Sequence, residues 1–231
     1  MTAEPDVGLL RAALRDPLQR AHEAREVGLE ATRQATRHAA NAIRAVHRQD
    51  AAQVDERLGE AHAALQQARE ALTAHPRLLH AGFAFDAEKE LAEAELTAAL
   101  VLERPLPTPE GIGVDPAAYA GGLAETVGEL RRHALDRLRA DDLEGADATL
   151  SAMESIFGVL EEVDLPDGVT GGLRRATDVA RSLVERTRGD VTTVATQVRL
   201  RSALERAADA GPDRARGPDP ARGPERGGED R

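Results

Sequence analysis

Almost every stretch of this chain long enough to build a core is written in strong helix formers. Ala, Leu, Glu, Arg and Gln dominate, side chains that lose little freedom in a helix. Few segments alternate apolar and polar residues with period two, so a β-sheet has little to build on. What remains is helix packed on helix, an all-α fold.

Pro and Gly divide the helical text. A short first helix is expected from Val7 to about Arg15; Asp16-Pro17 restarts a long one, with Pro17 at its first position, to about Arg48. Further helices are expected at about Ala51 to Ala74, Pro76 to Glu103, Asp115 (as N-cap) to Ala140, Leu143 to Val163 and Val169 to Arg188, where Gly189 fits a C-cap. Asp190 to about Ala208 can form a last helix. Arg104 to Val114 holds three prolines and two glycines and reads as a loop. From Asp209 onward Gly, Pro and charge leave nothing apolar beyond Ala to bury, which predicts a disordered tail. The expected organisation is an N-terminal arm (1–16), one helical domain (17–208) and the tail (209–231).

The net charge of −11 argues against a broadly basic nucleic-acid surface but leaves room for a local basic patch. Aromatic residues at 2 % argue against a base-stacking reader of the RRM or OB type. Without cysteine there is no disulfide, Cys-ligated zinc, iron–sulfur cluster or thiol nucleophile. The opening MTAEPDVGLL lacks the basic and apolar regions of a signal peptide, and no run approaches the ~20 apolar residues of a membrane span. A soluble, cytoplasmic protein with no membrane partner is expected. Lys89 is the only lysine; every other basic side chain besides histidine is arginine.

Residues Ala31 to Gln49 contain no acid. At ~100° per residue Arg33, Arg37, Arg44 and Arg48 fall within an arc of roughly 60°, flanked by Asn41 and His47, with Ala35, Ala39, Ala42, Ile43 and Val46 on the opposite, core side. A row of guanidiniums suits the phosphates of a nucleic-acid backbone, which arginine binds as a bidentate fork. The plainer alternative is pairing with carboxylates of the next helix, where Asp55, Glu56 and Glu60 lie.

Two carboxylate pairs stand out. Glu90 and Glu93 share one face of a helix, extended by Asp86, just before a stretch (Leu91 to Leu102) that is apolar nearly all round. Unpaired charge is costly there, and Lys89 offsets only part of it. Glu125 and Glu129 lie one turn apart on the following long helix, among Gly121, Gly122 and Gly128. Each such glycine costs ~1 kcal/mol inside a helix, which close approach of another backbone or a ligand can offset. Facing each other, the pairs could hold Mg²⁺ or Mn²⁺ through oxygen ligands and activate water for phosphodiester cleavage. Glutamate pairs at helical spacing are common without any metal.

Order and spacing over roughly Arg25 to Arg206 resemble the translin/TRAX family. Glu90-Leu91-Ala92-Glu93-Ala94 is similar to the E-Y-V-E-A motif of the TRAX branch. Tyr119 to Leu130 (YAGGLAETVGEL) is similar to Y-L-L-G-V-A-D-L-T-G-E-L without gaps. Val46-His47-Arg48 resembles the L-H-R that ends the family's basic helix, and Val184 to Gly189 resembles the segment ending in R-G before its last helix.

The resemblance implies a seven-helix translin-like bundle that assembles into hollow homo-oligomers, commonly octamers, with single-stranded RNA or DNA bound inside. It implies that TRAX-type subunits are Mg²⁺-dependent endoribonucleases, whereas translin-type subunits bind without the full acidic set. Carried over by position, Glu90, Glu93, Glu125 and Glu129 are the metal-binding and catalytic cluster, and His47 and Arg48 the RNA-contacting end of the basic helix, which Arg33, Arg37 and Arg44 extend. Two positions depart from the pattern: Glu125 stands where the family has Asp, and Leu91 where it has Tyr. The expected function is a metal-dependent endoribonuclease acting on single-stranded RNA, with Glu129 or Glu125 orienting or deprotonating the attacking water. The alternatives are a single-stranded RNA- or DNA-binding protein without cleavage, and a helical scaffold.

Overall fold

Capping side chains begin most of the long helices. Asp6 accepts a hydrogen bond from the backbone N–H of Leu9 and opens α1 (Val7–His47). Asp50 does the same for α2 (Ala51–Leu72), Asp115 for α6 (Pro116–Arg139), where Pro116 takes the first position, and Asp142 for α7 (Leu143–Glu162). The other elements are α3 (Pro76–Leu79), α4 (Gly82–Val101), α5 (Pro109–Ile112), α8 (Asp167–Thr170) and α9 (Leu173–Asp209). The computed structural model describes residues 6–209, and among these there is helix but no strand. All of the expected disordered tail but Asp209 lies outside the described residues.

The all-α architecture is as expected, while several boundaries differ. Pro17 interrupts nothing: α1 runs straight through it. One N–H is lost, on a stretch exposed on all sides, where water can take the freed carbonyl. Gly189 likewise sits inside α9, held there by the buried Thr187 and Val191 on either side. The helix expected from Pro76 is a single turn, a break at His80–Ala81, and then α4. The helix expected from Val169 begins only at Leu173, after Gly171 and Gly172 turn the chain at φ of 64° and 89°. The loop expected at Arg104 to Val114 contains one capped turn, α5.

The long helices form a layered stack. α1 and α2 make a hairpin across three residues; α1 packs on α4, α4 on α6, and α6 on both α7 and α9. The seam of α1 is lined by Ala35, Ala39 and Ala42, all fully buried, so its neighbours approach closely. Leu72, the last residue of α2, lies against Gly28. The part of α1 before Gly28 therefore extends beyond the end of α2. Leu10, Leu14 and Leu18 continue the core stripe onto this arm and are 51–68 % exposed. No described helix is long and apolar enough to cross a membrane.

The α4–α6 crossing is the closest helix approach involving a glycine. A Cβ on Gly122 would lie 2.7 Å from the Lys89 carbonyl oxygen and 2.8 Å from the Glu93 nitrogen. At Gly128 the nearest such contact is an ordinary 3.8 Å. Gly122→Ala is therefore expected to cost about 1–3 kcal/mol by forcing the helices apart, while Gly128→Ala is expected to be neutral or stabilising by up to about 1 kcal/mol. Urea unfolding of the two variants measures the contrast.

Candidate functional site

The glycine crossing decides which acids meet. Glu90 and Glu93 on α4 and Glu125 on α6 each present a carboxylate oxygen, and these oxygens lie within 4.8 Å of one another. Oxygens around one Mg²⁺ stand about 3–4 Å apart, so small side-chain rotations close the group. An all-carboxylate donor set suits a hard divalent cation, and the three can hold a metal ion.

The fourth acid is held differently. Glu129 accepts a hydrogen bond from His47 Nε2 at 2.5 Å, and the His47 side chain is only 4 % exposed. The carboxyl groups therefore sit in two environments. Glu93 is pushed up to about 8 by burial, and then by the charges of Glu125, Glu90 and Glu129. Burial and the Glu125 charge raise Glu90 as well. Glu129 is lowered, chiefly by the His47 hydrogen bond. Repulsion and desolvation left standing at Glu90 and Glu93 are what a cation relieves.

Lys89 enters the same cluster. Its Nζ donates to Glu125 Oε1 at 2.6 Å. Burial opposes its charge, but the hydrogen bond and charge of Glu125, with Glu90 and Asp86, outweigh burial and raise its pKa.

These side chains open on a cleft of about 640 Å³. One wall carries Lys89, Glu90, Glu93 and Glu125; the other is Gly171, Gly172 and the first turns of α9, with Ala176, Val179 and Leu183. Gly171 lies against the Phe85 ring, where a Cβ would come within 2.7 Å. Phe85 and Arg175 also face the cleft. Neither stands out in the sequence: Phe85 is one apolar residue in the first turn of α4, and Arg175 on α9 reaches the cleft only through the tertiary fold.

The basic helix is exposed where expected. Arg33, Arg37, Arg44 and Arg48 are all exposed, and among the described residues none lies within ion-pair distance of a carboxylate. The acids of α2 that offered partners are engaged elsewhere: Asp55 with Arg104, Glu56 with Arg57, and Glu60 with Arg57 and His38. Arg44 donates instead to Asn41. His47 departs from the expected surface contact, since it turns inward to Glu129.

Glu93 binds its proton up to about pH 8 in the fold but has an ordinary value of 4.5. Between these values the native state holds the extra proton, so stability falls as pH rises through this window and levels off above it. In EDTA, the melting temperature is expected to drop from pH 5 to pH 8.5. Glu93→Gln is expected to flatten that drop, with thermal melts by circular dichroism as the measurement.

No family model matches the chain. It is 28 % identical over 184 residues to an uncharacterised protein of Methanocaldococcus jannaschii, covering 79 % of this chain and 81 % of the other. Among solved structures it is similar to AfC3PO, both alone and in complex with duplex RNA. Each is 31 % identical with a TM-score of 0.72, covering 79 % of this chain and 95 % of the other. Apo-NeC3PO has the same TM-score at 20 % identity, covering 84 % of this chain and all of the other, and shares the fold.

Proposed function

The chain belongs to the translin-like family, and on that premise we propose that it binds RNA and cleaves it as a Mg²⁺-dependent endoribonuclease. The observation that carries the reading is the convergence of Glu90, Glu93 and Glu125 on one cleft. These three would hold the cation, Mg²⁺ or in its place Mn²⁺. When bound, it supplies a water of lowered pKa and offsets charge on the phosphate.

Glu129, kept ionised by His47 and one turn beyond Glu125 on α6, would orient the attacking water and accept its proton, and that proton would pass to the oxygen that leaves as the backbone P–O bond breaks. His47 is thus a positioning residue for Glu129. Arg33, Arg37, Arg44 and Arg48 hold phosphates, with little sequence readout. The duplex RNA bound by AfC3PO supports RNA as the ligand class; single strands are the expected substrate.

Purified protein with labelled single-stranded RNA is expected to cut in Mg²⁺ and to stop in EDTA or with Glu129→Ala. Cleavage that survives both sinks the assignment. A second reading, binding without cleavage, is favoured by Glu125 standing in place of the family's Asp and by its pairing with Lys89; RNA bound but uncut in Mg²⁺ supports it. Duplex RNA in the same assay reads strand preference.

Reversing Arg44 and Arg48 to Glu is expected to remove binding at physiological salt. The single variants Arg44→Ala and Arg48→Ala are each expected to lower the salt slope of the affinity by about one. Unchanged affinity removes the stripe from the interface.

We also propose a homo-oligomer, of eight subunits by family resemblance, with the leucine stripe of the α1 arm at its contacts. Leu14→Glu with Leu18→Glu is expected to lower the mass measured by light scattering. An unchanged mass places the contacts elsewhere.

A further inference from the structure

Of the 30 Lys and Arg side chains in this sequence, one is lysine, and it stands in the carboxylate cluster. Lys89 precedes Glu90 on α4 and reaches across to α6. Its stem runs over Gly121, where a Cβ would come within 3.1 Å of Lys89 Cδ and 3.2 Å of Cγ. Its ammonium ends 2.6 Å from Glu125 Oε1 and faces the cleft. Glu125 is also one of the three acids whose oxygens converge. Its carboxylate is thus claimed from two sides.

Lysine and arginine differ here in a way that matters. An ammonium is a compact point charge on a flexible stem, with three rotatable donors. It can leave one oxygen and turn to another without re-forming a planar fork. The lane over Gly121 fits a methylene chain closely. Arg175, on the opposite wall, is the other basic side chain lining the cleft, and a phosphodiester entering there meets Lys89 beside the acids.

We propose that Lys89 is a built-in competitor of the divalent cation, displaced from Glu125 by a substrate phosphate. In the RNA-free protein the ammonium occupies Glu125 and weakens cation binding. A phosphodiester in the cleft accepts the ammonium, and Glu125 is released to the cation. Metal and RNA therefore bind cooperatively, each raising the affinity of the other by the same factor. The consequence is a site that loads its metal chiefly when substrate is present. This rests on the metal-centre reading above.

The test is Mn²⁺ binding by the full chain, read from free Mn²⁺ by electron paramagnetic resonance. It is run with and without a cleavage-resistant single-stranded 2′-O-methyl oligouridine, for the wild type, Lys89→Met and Lys89→Arg. In the wild type the oligonucleotide is expected to tighten Mn²⁺ binding, on the order of 5- to 150-fold, the usual span of coupling between sites. Without RNA, Lys89→Met is expected to bind Mn²⁺ tighter than the wild type by a similar factor, and RNA is expected to add little. Lys89→Arg keeps the charge and is expected to stay near the wild type without RNA.

Equal or weaker Mn²⁺ binding by Lys89→Met, with a helical spectrum and melt like the wild type, overturns the competitor role and leaves the metal centre standing. So does a wild type whose Mn²⁺ affinity ignores RNA. Absence of Mn²⁺ binding in all three proteins, with or without RNA, overturns the metal centre and the competitor together.

Discussion

Backbone touching backbone at Gly122 is the constraint on which the rest of this molecule depends. A methyl group there would meet the carbonyl of Lys89 and the nitrogen of Glu93. Because it is absent, α4 and α6 close to a separation at which Glu125 reaches the oxygens of Glu90 and Glu93. The same closeness lets Lys89 span the gap to Glu125. A glycine costs ~1 kcal/mol inside a helix, and here that cost is offset by the contact it permits.

Charge is distributed around this crossing in an uneven way. Glu129 has a hydrogen-bonded partner in the buried His47 and is held ionised. Glu93 has no such partner, and burial among like charges holds it protonated to about 8. Stability alone favours pairing each acid or replacing it. A cluster that keeps three of four carboxylates converging on a cleft, with a single ammonium against one of them, could hold a metal ion. On the outer face of α1, arginines are left without carboxylate partners among the described residues, while the acids of α2 pair elsewhere. An acidic protein thereby presents a basic strip.

Much of this was legible in the order of residues. Helix formers and their stops located the long helices, and an acid-free run located the arginine strip. The glycines around Glu125 pointed to close approach, which Gly122 makes and Gly128 does not. Local signals failed where tertiary context outweighed them. Pro17 and Gly189 read as helix ends, yet an exposed carbonyl in one case and buried neighbours in the other carry the helix through. His47 read as a surface contact because it flanks the arginine arc; only the packing of α1 near α6 turns it onto Glu129. The cleft wall at Gly171, Gly172 and Arg175 is built from residues 70 or more positions beyond α4, and spacing within one helix carries no information about it.

The central claim is that Glu90, Glu93 and Glu125 form one cation site, with Glu129 apart on His47. Anomalous diffraction from crystals grown with Mn²⁺ and a cleavage-resistant RNA tests it most directly. One strong peak is expected within about 2.0–2.6 Å of oxygens from all three glutamates, the range of oxygen-bound divalent cations, with His47 still on Glu129. A peak held by other residues, or none with Lys89 still seated on Glu125, contradicts it.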